Sequence, residues 1–172
     1  MRKLFVVCAA ALVLGFVAAP AVADEIEKGS KELTLEFAYT DTDDWGTEIS
    51  LDVSLGYMLT EVHEVGGIVD WTNTDPDAGD SQSGGTIGGF YRYNLGIDAD
   101  MLVPYAGAKA VLALGDFSDY YDFGAGVELG TRVMPSEHAS INVELFYEKL
   151  FGTDIFDDKD SFGLAAGISI FF

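Results

Sequence analysis

Basic residues, cysteine, histidine and proline are scarce in this chain of 172 residues, which has nine Lys and Arg together, one Cys, two His and four Pro. Each shortage removes a class of chemistry. Cys8 lies in an apolar N-terminal run, so once that run is cleaved no thiol, disulfide or cysteine-based metal site is left. His63 and His138 stand at separate turns in the strand reading below, with no further histidine or cysteine to complete a metal site. A histidine-assisted nucleophile is therefore poorly supported, and His63 beside Glu64 reads as a solvated turn pair. The 20 glycines are scattered along candidate strands rather than gathered into a phosphate-binding loop. Against the few bases stand 29 acids, a formal charge of −20, which argues against nucleic acid and anionic lipid as electrostatic partners. No cofactor is expected.

The N-terminus sets the compartment. Arg2 and Lys3 precede an apolar run from Leu4 to Ala19, and Ala21-Val22-Ala23 supplies the small residues a signal peptidase requires. Residues 1–23 are expected to be a cleaved signal peptide and residues 24–172 one mature domain. A membrane anchor would need roughly 20 apolar residues, more than this run has. Loss of Arg2 and Lys3 deepens the formal charge from −20 to −22. Beyond the leader no stretch is apolar over the roughly 18 residues that mark a membrane helix, yet 49% of residues are hydrophobic. A membrane protein without a membrane helix must close a barrel, because lipid offers no partner for free backbone groups.

Period-two alternation supports that reading. In the last segment Phe162, Leu164, Ala166, Ile168, Ile170 and Phe172 alternate with Gly163, Ala165, Gly167 and Ser169. Seven earlier segments have about the nine to eleven residues a tilted membrane strand needs. Residues 31–39 set Leu33, Leu35, Phe37 and Tyr39 against Thr34, Glu36 and Ala38, and residues 48–57 set Ile49, Leu51, Val53 and Leu55 against Glu48, Ser50, Asp52 and Ser54. Residues 64–72, 86–93, 105–114, 124–133 and 141–148 follow. In the fifth segment the register is the one that turns Lys109 inward, since a lysine facing lipid at mid-membrane costs about 2–4 kcal/mol. The fold class expected is all-β, an eight-stranded antiparallel up-and-down transmembrane β-barrel.

An even strand number puts both termini on one side, the periplasmic side for a secreted chain. Short turns at Leu59 to His63, Asn94 to Val103 and Met134 to Ala139 fall there. The connections assigned outside, Thr40 to Gly46, Asn73 to Gly85, Gly115 to Asp122 and Phe151 to Asp160, are rich in turn-forming Asp, Gly, Ser and Thr. Trp45, Trp71, Tyr120, Tyr121 and Tyr147 are expected to form an outer aromatic girdle, and Tyr57, Tyr93, Tyr105 and Phe172 an inner one.

With Gly56-Tyr57-Met58-Leu59-Thr60-Glu61 leading into Val65-Gly66-Gly67, with Pro104-Tyr105-Ala106-Gly107-Ala108 opening a strand, and with the ending Gly163 to Phe172, the chain resembles the small eight-stranded outer-membrane barrels of Gram-negative bacteria, the class typified by OmpX and the OmpA transmembrane domain. The resemblance covers Glu32 to Phe172. It implies recognition by the barrel-assembly machinery through Leu164, Ala166, Ile168, Ile170 and Phe172. It further implies a bacterial outer-membrane location, with lipid and lipopolysaccharide as surroundings. A monomer is expected.

In this register the lumen receives Glu36, Glu48, Asp52, Glu64, Asp70, Glu128, Glu144 and Glu148 against Arg92, Lys109 and Arg132. Eight strands leave an interior just wide enough for side chains to fill, so an ion-paired plug is expected, with a narrow cation-preferring path as the alternative. Glu128 and Arg132 stand four apart on one strand and are expected to find cross-strand partners. The outer connections carry many aspartates against Lys159; Asp75-Pro76-Asp77-Ala78-Gly79-Asp80 has oxygen ligands for divalent cations but not the spacing of an EF-hand loop. The expected role is structural or at the surface, without catalysis. A small cation or solute pore is the alternative, and a soluble lipocalin-like barrel is disfavoured by the continuous apolar belt.

Overall fold

The structure, a computed structural model, describes residues 26–42, 46–75, 82–95, 101–153 and 157–172. Eight strands follow one another around a closed barrel, each antiparallel to the next. They are β1 (Lys31–Thr42), β2 (Gly46–Met58), β3 (His63–Asp75), β4 (Gln82–Asn94), β5 (Leu102–Gly115), β6 (Tyr121–Ser136), β7 (Ala139–Gly152) and β8 (Lys159–Phe171). Residues 1–25, which include the expected leader, lie outside the described residues, as do Trp45 and residues 76–81 of the aspartate-rich loop.

Stepping across paired residues from Phe171 through Glu32, Gly56, Gly66, Phe90, Lys109, Gly126 and Glu148 returns to Ser161, ten residues back along β8. That stagger tilts every strand against the barrel axis. It also explains why the strands are 12–16 residues long, beyond the nine to eleven of their apolar alternation. Their ends project past the lipid-facing belt, where polar residues satisfy the same ladder. The expected turn at Met134 to Ala139 shrinks accordingly: β6 runs to Ser136, which pairs with Ala139 across a register irregularity. The seam closes with a ladder from Glu32–Phe171 to Tyr39–Leu164, extended at its end by hydrogen bonds from Lys31 N to Phe172 O at 2.9 Å and from Phe172 N to Lys31 O at 3.0 Å.

The two faces separate by chemistry. Leu33, Phe37, Val53, Val127, Leu129, Leu145, Phe162 and Ile168 point outward and are exposed, while Glu36, Ser54, Glu64, Arg92, Asn142 and Ser169 point inward and are buried. Exposed apolar and buried polar side chains invert a soluble protein and fit a lipid-immersed barrel. Trp71, Tyr39 and Tyr147 lie exposed at the loop end, and Tyr57, Tyr93 and Phe172 at the end that holds the termini. Two girdle assignments fail. Tyr105 is 1% exposed and lies inside the barrel, and Tyr121 is buried beneath the mouth. Tyr105 sits on the inward phase of β5, and Tyr121 is turned inward by the register irregularity between Tyr121 and Phe123 at the start of β6.

Large inward side chains need room on the facing strand. A Cβ at Gly130 would come within 2.5 Å of the Tyr105 ring carbon Cζ and its hydroxyl, so Gly130 lets that ring lie across the lumen. At the loop end Gly115, with φ 65°, turns the chain into a short 3₁₀ segment, Asp116–Asp119. This segment drops Phe117 into the mouth, where it packs with Ile68, Phe90, Val111, Ala113, Tyr121 and Leu150. A Cβ at Gly84 would meet Phe117 Cδ1 at 2.5 Å. Gly84→Ala is therefore expected to lift Phe117, costing about 1–3 kcal/mol as overpacking does, and proteolysis at residues 116–119 should accelerate in parallel.

Candidate functional site

The lumen is built in tiers of charge. Nearest the termini, Arg132 of β6 places Nη2 2.7 Å from Glu32 Oε2 and 2.6 Å from Glu64 Oε2, and its Nη1 donates to Asn94 Oδ1. Its guanidinium lies 4.6 Å from the centre of the Tyr105 ring. Glu32, Glu64, Arg132 and Asn94 are all 0–3% exposed. Beside them Thr34 and Ser169 hydroxyls meet at 2.7 Å, and Asn142 Nδ2 donates to Ser169 at 2.7 Å. Seven strands thus contribute side chains to this one layer.

One step toward the loops, Arg92 of β4 donates through Nε to Glu128, and its Nη2 lies 3.8 Å from both Glu36 and Glu144. The Arg92 guanidinium is 4.6 Å from the Phe90 ring centre and 5.2 Å from that of Tyr105. Tyr105 therefore lies near both guanidinium groups, and its hydroxyl donates to Glu144 Oε2 at 2.8 Å. Guanidinium suits this role because it stays charged, stacks on rings and holds several carboxylates at once.

The third tier, beneath Phe117, pairs Lys109 with Glu148 and Lys159 with Glu48. Asp52 and Asp70 face each other in register on β2 and β3, and Thr72 Oγ1 donates to Asp70 at 2.9 Å. A cavity of about 50 Å³ opens between these groups, room for a few waters.

All eleven lumen charges read from the sequence lie on inward strand positions, and the tiers unite them. Glu128 and Arg132 do not pair with each other; each reaches another strand. Glu32, Asn94, Tyr105 and Lys159 join the interior although the reading of the charges had not placed them there. Glu32 and Lys159 each continue their strand's inward phase by one step, at the positions two before Thr34 and Ser161, and that phase was the available signal. Lys159, expected in an outer loop, instead opens β8 and turns inward to Glu48, because the strand starts earlier than its apolar residues do.

Outside the lumen, Leu164, Ile168, Ile170 and Phe172 are exposed on the outer face and Ala166 is half-buried there. His63 departs from a solvated turn: it begins β3, its Nδ1 is 2.7 Å from the Tyr91 hydroxyl, and its ring lies 5.2 Å from that of Tyr93. At the loop end Lys149 Nζ is 2.9 Å from Asp158 Oδ2. The hydrogen bond from that ammonium, aided by one from the Gly152 N–H, holds the Asp158 carboxyl below its ordinary value. Among the described residues no three His, Cys, Asp or Glu side chains stand close enough to hold a metal ion.

Solved structures share this architecture. The N-terminal β-barrel domain of Pseudomonas aeruginosa OprF aligns with a TM-score of 0.59 at 15% identity, covering 86% of this chain and all of that one. Neisserial surface protein A aligns at 0.59 and 19% identity, covering 83% and 96%, and P. aeruginosa OprG at 0.53 and 13%, covering 85% and 97%. At these identities they establish the fold alone. No curated protein sequence matches significantly. The family model described as outer membrane protein beta-barrel domain matches residues 9–169, and with the apolar belt, the closed eight-stranded barrel and the buried ion pairs this chain belongs to that family of outer-membrane proteins.

Proposed function

We propose that this barrel is a non-conducting integral protein of the outer membrane that serves envelope structure or surface properties, without catalysis. The observation that carries this reading is the Arg132 layer, whose charged groups are buried and bonded across the lumen. An ion passing that layer would have to break several charge-assisted hydrogen bonds at once. Phe117 supports closure from the other end. In this reading lipid and lipopolysaccharide surround the belt, the barrel-assembly machinery engages the outward residues of β8, and the acidic loops share divalent cations with lipopolysaccharide phosphates.

Single-channel recording on the mature protein refolded into planar bilayers tests the closure. Heat-modifiable, folded protein should give no resolved steps under a salt gradient. Stable cation-selective steps that weaken in Glu128→Gln/Glu144→Gln would establish a pore instead, for which the acid excess of the lumen supplies the selectivity.

A further inference from the structure

The Asp116–Asp119 segment is anchored in the mouth by one side chain. Phe117 is its only buried residue, at 4% exposed, while Asp116, Ser118 and Asp119 are exposed. The hydrogen bonds that shape the segment are internal: Ser118 Oγ donates to Gly115 O at 2.7 Å, and the Tyr120 N–H donates to Phe117 O at 3.1 Å. Both survive if the segment moves as a unit. At one end Gly115, with φ 65°, supplies the backbone freedom of a hinge. At the other the Thr153 N–H donates to Tyr120 O at 2.9 Å and ties the segment to the residue after β7.

The seat of Phe117 is also the roof of a chamber. The ring packs against Ile68, Phe90, Val111, Ala113 and Leu150, over the gap left by Gly84, with Lys159 Nζ 5.5 Å from its centre. On the lumen side Phe117 lines the cavity of about 50 Å³, together with Ala38, Glu48, Ser50 and Thr72. Lifting the ring therefore uncovers the cavity in the same movement. The polar side chains of the segment are in water in either position, so the ring's burial is what favours the seated form. Burial of one phenylalanine is worth a ratio of about tenfold to a hundredfold, which leaves a lifted form at about 1–10%, within the range of ordinary minor states.

We propose that residues 116–119 form a reversible lid: Phe117 leaves its seat by rotation about Gly115 and opens the chamber to solution at the loop end, while the Arg132 layer stays bonded below. The barrel is then a vestibule with a hinged roof and a fixed floor.

The mature domain, residues 24–172, contains no cysteine, so a single thiol reports the lid. Ala38→Cys places it on the inward face of β1, 6% exposed and lining the chamber. Refolded protein is treated at neutral pH with methyl methanethiosulfonate, a small neutral reagent, and modification is followed by mass spectrometry; Ser118→Cys on the exposed side of the segment gives the ungated rate. Ala38→Cys should react about tenfold to a hundredfold more slowly than Ser118→Cys, yet faster than the protein unfolds globally as read from heat-modifiability of the same samples. Adding Phe117→Ala should remove most of that difference, and Gly84→Ala, which crowds the seat and keeps the ring, provides the same comparison if Phe117→Ala does not fold. A parent thiol that reacts only at the rate of global unfolding makes Phe117 a static plug and overturns the proposal. A rate that neither variant raises overturns it as well, because the chamber is then reached by another route. Bilayer conductance is a separate measurement, so the lid and the closed lumen can fail independently.

Discussion

Arg132→Met is expected to lower barrel stability by about 3–5 kcal/mol, because it strands Glu32 and Glu64 in a layer that water does not reach. Arg132 supplies the cation between these two acids, at 2.7 and 2.6 Å, and its guanidinium also stacks on Tyr105. The measurement is urea unfolding in lipid vesicles followed by tryptophan fluorescence, with heat-modifiability on gels as a second readout. Glu32→Gln/Glu64→Gln/Arg132→Met should recover most of the loss, since removing all the buried charges avoids the unpaired ones. A single variant as stable as the parent would mean that water solvates the layer and that the lumen is open there.

Leu129→Arg should cost about 2–4 kcal/mol, the penalty for a lipid-facing arginine at the midplane of a barrel. Leu129 lies in the middle of β6, opposite Ala106 and Leu145, and is 57% exposed on the outer face. One position earlier, Glu128 points inward and is tolerated because Arg92 meets it. Leu102→Arg, at the start of β5 and also exposed, should cost only about 0–1 kcal/mol because the guanidinium reaches the interface there. The comparison is read from the same urea unfolding. Equal costs at the two sites would contradict the depth assigned to Leu129 in the belt.

Much of this architecture was legible because a strand has a strict period of two. Alternation of Leu33, Leu35 and Phe37 with Thr34 and Glu36 assigns both faces of β1 without any knowledge of neighbours. The same reasoning turned Lys109 inward on energetic grounds alone. One cause of error is that apolar alternation marks the belt and not the ends of a strand. Lys159 precedes the apolar residues of β8 and reads as loop although the ladder continues through it, and Glu32, inside the first segment but one place before Leu33, goes uncounted among the lumen charges. Tyr105 reads by residue type as an aromatic near a rim although the phase of β5 points it inward, whereas Tyr121 is turned inward by an irregularity at the start of β6 that no period reveals. His63 is a further case, since its place in β3 and its Tyr91 partner depend on a neighbouring strand.

What the sequence determined by itself is the class of object: an acidic chain with eight alternating segments, and therefore a closed barrel with charges inside. Those conclusions rest on local periodicity and on the cost of placing polar groups in lipid. Pairing within the lumen was decided only by the tertiary structure. Glu32, Glu64 and Arg132 come from three strands, and their meeting depends on a stagger of ten residues that accumulates over the whole circuit of the barrel. The seating of Phe117 in the mouth likewise needs Gly84 on β4 opposite the 3₁₀ segment after β5. A period assigns a side chain to a face, but its height in the barrel, and hence its partner, follows from the tilt of the strands.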